Sequence, residues 1–367
     1  MHGLCLKEPC AQEPPIGYPN AMSGYSVAIL GATGAVGQEF LKLFEERSFP
    51  ISNLKLLASE RSAGKVAQFA GHEVPIEAVT AQAFEGCDLA FFSAGASRSK
   101  EFASAAMDAG SVVIDNSSAF RMDPAVPLVV PEINPLTVTE STKLIAVPNC
   151  TAIILTMALA PLKALGAIDR VIVSTYQSAS GGGAAMMQQL LDETREALSG
   201  SPQSAIHNPQ SKIPPYAFNL FSHNTPINEH GFNEEEWKVM QETRKILGMP
   251  DLKLNVTCIR VPVLRAHSES VTIEFKCPSP SVASIRKALS AAPGIKVVDD
   301  CSANRFPTPL EASGGDDVLV GRIRQDISNP NAICMFIAGD QLRKGAALDA
   351  VQIAELIVAN RLAAVRS

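Results

Sequence analysis

The chain has 367 residues, 46% apolar and 19% charged, with a net charge of −6. That is an ordinary globular composition, long enough for two domains that bury about three quarters of the unfolded surface. No basic stripe interleaved with aromatics appears, which argues against nucleic-acid binding. Eight cysteines, at 5, 10, 87, 150, 258, 277, 301 and 334, form no Cys-x-x-Cys and no His/Cys cluster of zinc spacing. They read as reduced thiols, with no metal site and no disulfide scaffold.

Residues 1–23 carry Pro14, Pro15 and Pro19, acidic residues and no arginine; the expectation is a disordered tail, neither signal nor transit peptide. From Tyr25 strand and helix alternate. Tyr25–Leu30 is an apolar strand, and Val36–Glu46 has helical spacing through Val36, Phe40, Leu43 and Phe44. Further strands are expected at Leu54–Ala58, Leu89–Phe92 and Val112–Asp115. Such alternation predicts a parallel doubly wound sheet whose cofactor crevice lies at the carboxyl ends of its strands.

The uncharged run from Leu144 to Leu162 is long enough to raise a membrane span. Pro148, Asn149 and Pro161 divide it, so it reads as a buried strand, a tight turn and a core helix. Beyond it, Arg170–Tyr176 and Val271–Phe275 look like half-buried strands, Pro202–Asn233 like a long loop or dimer contact, and Lys344–Ala363 like a terminal helix. The expected fold class is α/β: a doubly wound parallel-sheet dinucleotide-binding domain at 24–150, completed by the terminal helix 344–367, plus an α+β catalytic and dimerisation domain at 151–343.

The candidate chemistry begins at Gly31-Ala32-Thr33-Gly34-Ala35-Val36-Gly37, directly after a strand and opening a helix. Glycines there let backbone amides approach a pyrophosphate, whose charge the helix N-terminus favours. At the second strand's end, Glu60 fits an NAD ribose, but Ser59, Arg61, Ser62 and Lys65 supply donors for a 2′-phosphate, which favours NADP. Cys150, before a helical pattern, gains thiolate character from that helix's N-terminus, although a lone cysteine is equally a small packing residue. Of six histidines, His267 is the best acid/base candidate. A straight strand would set it and Arg260 on opposite faces, and Pro262 makes a straight strand doubtful.

The stretches Gly31–Gly37, Ala58–Gly64, Asp115–Met122, Pro148-Asn149-Cys150, Ser174–Gly181, Glu235–Lys238, Arg260–His267 and Gly339–Gly345 resemble, in this order, the aspartate-semialdehyde dehydrogenase family from about Tyr25 to Asn360. The resemblance implies NADPH-dependent reductive dephosphorylation of β-aspartyl phosphate to aspartate semialdehyde, in lysine, threonine and methionine biosynthesis. Cys150 would carry the thioester, and His267 would accept and donate the proton. Gln177 would orient substrate, Arg260 would clamp its carboxylate and Glu235 would face its amine. Arg121 and Lys238 would hold phosphate in a pocket lined by Asn149. Cofactor contacts would come from Gly31, Thr33, Gly34, Ala35, Val36, Ser59, Arg61 and Ser62, with Ser180, Gly181 and Gln341 at the nicotinamide. Where the family commonly has Ala, this chain has Gly182. The resemblance also implies a homodimer, with a tetramer as the alternative; from the sequence itself no nucleic-acid or membrane partner is expected, and the expected compartment is the cytoplasm, with the plastid stroma as the alternative. The alternatives are N-acetyl-glutamyl-phosphate reductase and a non-catalytic dinucleotide sensor.

Overall fold

A computed structural model of the chain describes residues 24–199, 215–223 and 225–366, with 361–366 by backbone alone. The expected tail at 1–23 and the middle of the 202–233 stretch lie outside the described residues.

The first sheet holds β1 (Tyr25–Leu30), β2 (Ile51–Ala58), β3 (Val66–Phe69), β4 (His72–Ala78), β5 (Leu89–Phe92), β6 (Val112–Asp115) and β7 (Leu144–Ala146), with α1 (Ala35–Glu46) and α2 (Ala96–Asp108) crossing over. Its order is β3-β4-β2-β1-β5-β6-β7, parallel except for the antiparallel β3–β4 pair. β5 and β6 are buried throughout, as expected of strands covered on both faces. Phe40 and Phe44 of α1 lie against Phe91 of β5, with ring centroids 5.0 and 5.2 Å apart. The strand order reverses at β1, between β2 and β5, so a crevice opens beyond their carboxyl ends. The β3–β4 hairpin, turned at Ala70 (φ 49°) and Gly71 (φ 78°), has no counterpart in the sequence reading.

The second sheet contains β8 (Ile168–Gln177), β9 (Phe221–Ser222), β10 (Lys253–Arg260), β11 (His267–Phe275), β12 (Ile295–Val297), β13 (Val318–Gln325) and β14 (Ala332–Gly339). The order is β12-β13-β14-β11-β8-β10-β9. Helices α3 (Cys150–Leu159), α4 (Ala184–Leu198), α5 (Glu234–Leu247), α6 (Val282–Ala291) and α7 (Pro309–Ala312) accompany it, and α8 (Leu348–Arg366) closes the chain. The uncharged run is thus β7, a turn and α3, whose residues Thr151–Leu159 are all buried. No described helix is long and apolar enough to cross a membrane. One π-helical turn, Arg343–Ala347, precedes α8, so the terminal helix starts four residues later than its spacing suggested.

Two features aim these elements at one place. β10 runs parallel to β8 with Arg260 opposite Gln177, while β11 runs antiparallel to β8 with Ser268 opposite Tyr176. The end of β10, the end of β8 and the start of β11 therefore share one sheet edge. Charge ties fasten α1 to this unit: Arg343 reaches Glu46 at 2.6 Å and Glu39 at 3.2 Å, and Arg265 reaches Glu39 at 3.3 Å. α8 returns to pack on α1 and β6.

Candidate active site

The glycine turn is carved to the backbone. At Gly31 (φ 97°) an added Cβ would stand 2.6 Å from the Ser93 carbonyl oxygen, and at Gly37 one would stand 2.3 Å from that of Gly31. Only glycine meets both conditions. Gly34 caps α1, and the first turn of α1 opens on a cleft of about 330 Å³ lined by Gly34, Ala35, Val36, Asn116, Arg121, Asn149, Cys150, Ser180, Gly181 and Gln341, among others. Ser59 and Arg61 are exposed and Ser62 half-buried, on the helical turn after β2, beside the carboxyl end of β1. The backbone cradle fits the pyrophosphate of a dinucleotide. Thr33 is exposed at the turn and lines a neighbouring cavity with Lys65. A third cavity of about 350 Å³, between Glu132, Met157 and Ala291, lies away from these groups.

Cys150 is the first residue of α3. The Asn149 side chain caps that helix, accepting from the amides of Thr151 (2.9 Å) and Ala152 (3.4 Å), which explains the helix start after proline. The expectation of a depressed thiol is not met. Burial and the neighbouring Glu235 carboxylate push it up to about 12, against Arg260 and Arg121. Gly345 packs on it so closely that an added Cβ would sit 2.9 Å from the Cys150 Cβ.

The shared sheet edge supplies the rest. Gln177 donates to Thr151 Oγ1 at 2.9 Å and to Glu235 at 3.1 Å, so it braces α3 and α5 together. Asn149 Nδ2 also donates to Glu235, at 2.9 Å. Burial works against the charge of Glu235, but His223, these two donors and Arg260 outweigh it and hold the carboxyl below its ordinary value. Ser178 is the hub: its amide donates to His267 Nδ1 at 3.0 Å, and its carbonyl accepts from Arg260 at 2.8 Å. Arg260 and His267 converge because the chain leaves the sheet between them, with Ala266 at φ 71°.

His267 is fully buried with its Nε2 unpaired. Burial, Arg260 and His223 hold it well below the ordinary histidine value. With Nδ1 accepting an amide hydrogen, the neutral ring carries its proton on Nε2. In this tautomer the ring donates through Nε2. No hydrogen bond joins it to Cys150 among the described residues. Gly181 stands between, since an added Cβ there would lie 2.9 Å from His267 Nε2 and from Arg260 Nη1 while Gly181 itself lines the cleft. At Gly182 the space of a Cβ is taken by Met186. Gln341 accepts from the Ala266 amide at 2.9 Å and donates to the Ser180 hydroxyl.

Arg121 is held rigidly, donating to the carbonyls of Val147 (2.9 Å) and Asn116 (2.8 Å) and to Glu242 at 3.2 Å. Glu242, buried and pushed upward by that burial against Arg121, also accepts from the Asn149 amide at 2.5 Å. Lys238 does not pair with Glu235. It meets Glu234 at 2.8 Å, with its charge still felt by His223. Sequence reading missed Glu242, Ser178 and Gly345. Only Glu242 had a readable signal: Glu235, Lys238 and Glu242 follow the 3-then-4 spacing of one helix face.

A dinucleotide turn and a helix-capped thiol open on one cleft, an arrangement suited to an oxidoreductase. Residues 26–141 match the family model described as semialdehyde dehydrogenase, NAD binding domain, and residues 159–344 match semialdehyde dehydrogenase, dimerisation domain. The aspartate-semialdehyde dehydrogenase of Synechocystis sp. is 55% identical over 334 residues, covering 90% of this chain and 97% of that one. That of Bacillus subtilis is 42% identical, covering 90% and 97%. The crystal structure of aspartate semialdehyde dehydrogenase II from Vibrio cholerae superposes with a TM-score of 0.87 at 41% identity, covering 92% of this chain and 99% of that one. The chain belongs to the aspartate-semialdehyde dehydrogenase family, oxidoreductases of amino-acid biosynthesis.

Proposed function

We propose that the enzyme reduces β-aspartyl phosphate to aspartate semialdehyde with NADPH, reversibly, through a thioester on Cys150, on the route to lysine, threonine and methionine. The observation that carries this reading is the single cleft lined by both the α1 turn and Cys150. A relative, the Vibrio cholerae enzyme, has been solved in complex with ASA. Residues 24–150 with α8 would hold the cofactor, and 151–343 would carry catalysis and dimerisation. The exposed face of the second sheet, with Tyr176 and Phe336 rings 6.1 Å apart, supports a homodimer, as does the description of the matching dimerisation domain. Free cysteines such as Cys87 and Cys258 suit a reducing compartment, the cytoplasm or plastid stroma.

The cofactor, held by the Gly31–Gly37 turn, the donors at Ser59, Arg61 and Ser62, and by Ser180, Gly181 and Gln341, supplies hydride when bound. Arg260 clamps the substrate carboxylate through its planar fork, Glu235 takes the ammonium, and Arg121, Lys238 and Asn149 receive the phosphate. The Cys150 thiolate attacks the acyl carbon and phosphate departs, leaving a thioester. Reduction at that carbon would yield a thiohemiacetal oxyanion, to which the His267 Nε2–H donates a stabilising hydrogen bond without giving up its proton. Collapse expels Cys150 as the thiolate and releases the aldehyde. Because the oxyanion itself collapses to aldehyde and thiolate, no net proton transfer from His267 is needed in this step, and the ring acts there as a hydrogen-bond donor. A substrate ammonium on Glu235 also cancels one of the two influences that keep the thiol protonated.

Cys150→Ala tests the reading directly. Turnover of aspartate semialdehyde with phosphate and NADP is abolished, while NADPH binding by fluorescence titration stays within about twofold. Residual turnover near the wild-type rate would overturn the nucleophile assignment.

A further inference from the structure

Among the buried polar atoms without a hydrogen-bond partner among the described residues are two near Arg260, the Tyr216 hydroxyl and Nε2 of His223. Buried polar atoms are nearly always paired, so each needs a reason. Both face Arg260. Phe221 pairs with Arg260 and Ser222 with Ile259 across the β9–β10 ladder, so His223 follows on the face of the sheet shared by Phe221 and Arg260. Tyr216 is fully buried, edge-on to Phe221 with centroids 5.2 Å apart, and it packs with Ala179 and Leu190.

The charges agree with this placement. Burial and then Arg260 hold the His223 imidazole down to about 4. Burial pushes the Tyr216 phenol up to about 12, with Arg260 opposing. Both groups are therefore neutral near pH 7, the phenol a donor and the imidazole able to present its proton on Nε2, and the nearby guanidinium is a donor only. Glu235, also within electrostatic reach of His223, already accepts from Asn149 and Gln177. Arg121, the cation assigned to phosphate, is anchored elsewhere, on Glu242 and Val147.

We propose that Tyr216 and His223 complete the pocket for the substrate's α-carboxylate, each donating one hydrogen bond to the anion that Arg260 clamps. The proposal rests on the reading of Arg260 given above and adds the second wall of its pocket. A carboxylate has two oxygens with about four acceptor positions, enough for a guanidinium fork and two further donors.

The test uses Tyr216→Phe and His223→Leu in the full-length enzyme, with KM determined separately for aspartate semialdehyde, phosphate and NADP. Each variant is also assayed on β-aminopropionaldehyde, which lacks only the α-carboxylate, and by thermal melting. Each substitution raises KM for aspartate semialdehyde about tenfold or more, the usual loss for a hydrogen bond to a charged group. KM for phosphate and NADP stays within about twofold, and β-aminopropionaldehyde is handled as by the wild type. Tyr216→Phe removes a buried unpaired hydroxyl, so its Tm holds or rises, which a structural role would not give. An unchanged KM, a loss falling on phosphate, an equal loss on both aldehydes, or a lower Tm for Tyr216→Phe overturns the proposal. Wild-type enzyme inert on aspartate semialdehyde would overturn the parent reading and this one with it.

Discussion

The two ends of the cleft are built by opposite means. At the nucleotide end the backbone makes the site: Gly31 and Gly37 have no room for a side chain, and the contributing residues lie within 31–37 and 59–62. At the substrate end side chains make it, arriving from β8, β10, β11, α3 and α5, and most of them already hold one another. Gln177, Asn149 and Glu235 form one bonded set; Arg121, Glu242 and the Asn149 amide form a second; Ser178, Arg260 and His267 form a third. A charged ligand thus meets a solvated rim at one end and a dry, pre-bonded cage at the other, where electrostatic interactions are strongest.

Gly181 is where this contrast is sharpest, because it belongs to both ends. Its missing side chain leaves Arg260 and His267 against the cleft wall, 2.9 Å from where a Cβ would lie. Gly181→Val is expected to lower kcat/KM by about a hundredfold or more through displacement of both groups, read by steady-state kinetics. Activity near the wild-type level would show that the wall moves away during turnover and that the caged description is wrong.

A smaller effect is expected at the open end. Arg61 is exposed and braces nothing in the cage, so Arg61→Ala should weaken NADP by about tenfold, the lower range for a charge-assisted hydrogen bond. Affinity for NAD and the melting temperature should be unaltered. Equal loss for NADP and NAD would move the 2′-phosphate site away from this turn.

The same contrast decides what a sequence discloses. The nucleotide end was legible because its constraint is local: strand, glycine turn and helix fall in order, and β1 with α1 appear within a residue of the expected limits. The division of Leu144–Leu162 was legible for the same reason, since Pro148 and Asn149 act on their own neighbours. The cage was named residue by residue only through family resemblance. Spacing alone left Arg260 and His267 unresolved, because their convergence depends on the chain leaving the sheet at Val261 and re-entering at His267. Ser178 was hard to see because its amide and carbonyl, which any residue type has, bind His267 and Arg260 alongside its hydroxyl. Glu242 and the raised Cys150 thiol follow from burial, which one-dimensional pattern reports poorly. The helix N-terminus argued for a depressed thiol, and the dry surroundings with Glu235 beside it won.

That last conflict yields the most discriminating test of the cage, though its numerical effect is the smallest. Burial is the first cause of the high thiol value and Glu235 the second, with Arg260 and Arg121 opposing both. Glu235→Gln keeps an oxygen for Asn149 and Gln177 but removes the charge. The free enzyme's thiol should then titrate at lower pH, because a negative neighbour that disfavoured the thiolate is gone. Alkylation of Cys150 by iodoacetamide at fixed pH below the thiol's titration should therefore be faster in the variant, its pH profile displaced downward, while KM for aspartate semialdehyde rises because the ammonium has lost its counter-charge. A general loosening of the site would not displace the thiol profile toward lower pH. Slower or unchanged alkylation would mean that Glu235 does not govern the sulfur, and that bound substrate cannot activate its own nucleophile by covering that charge.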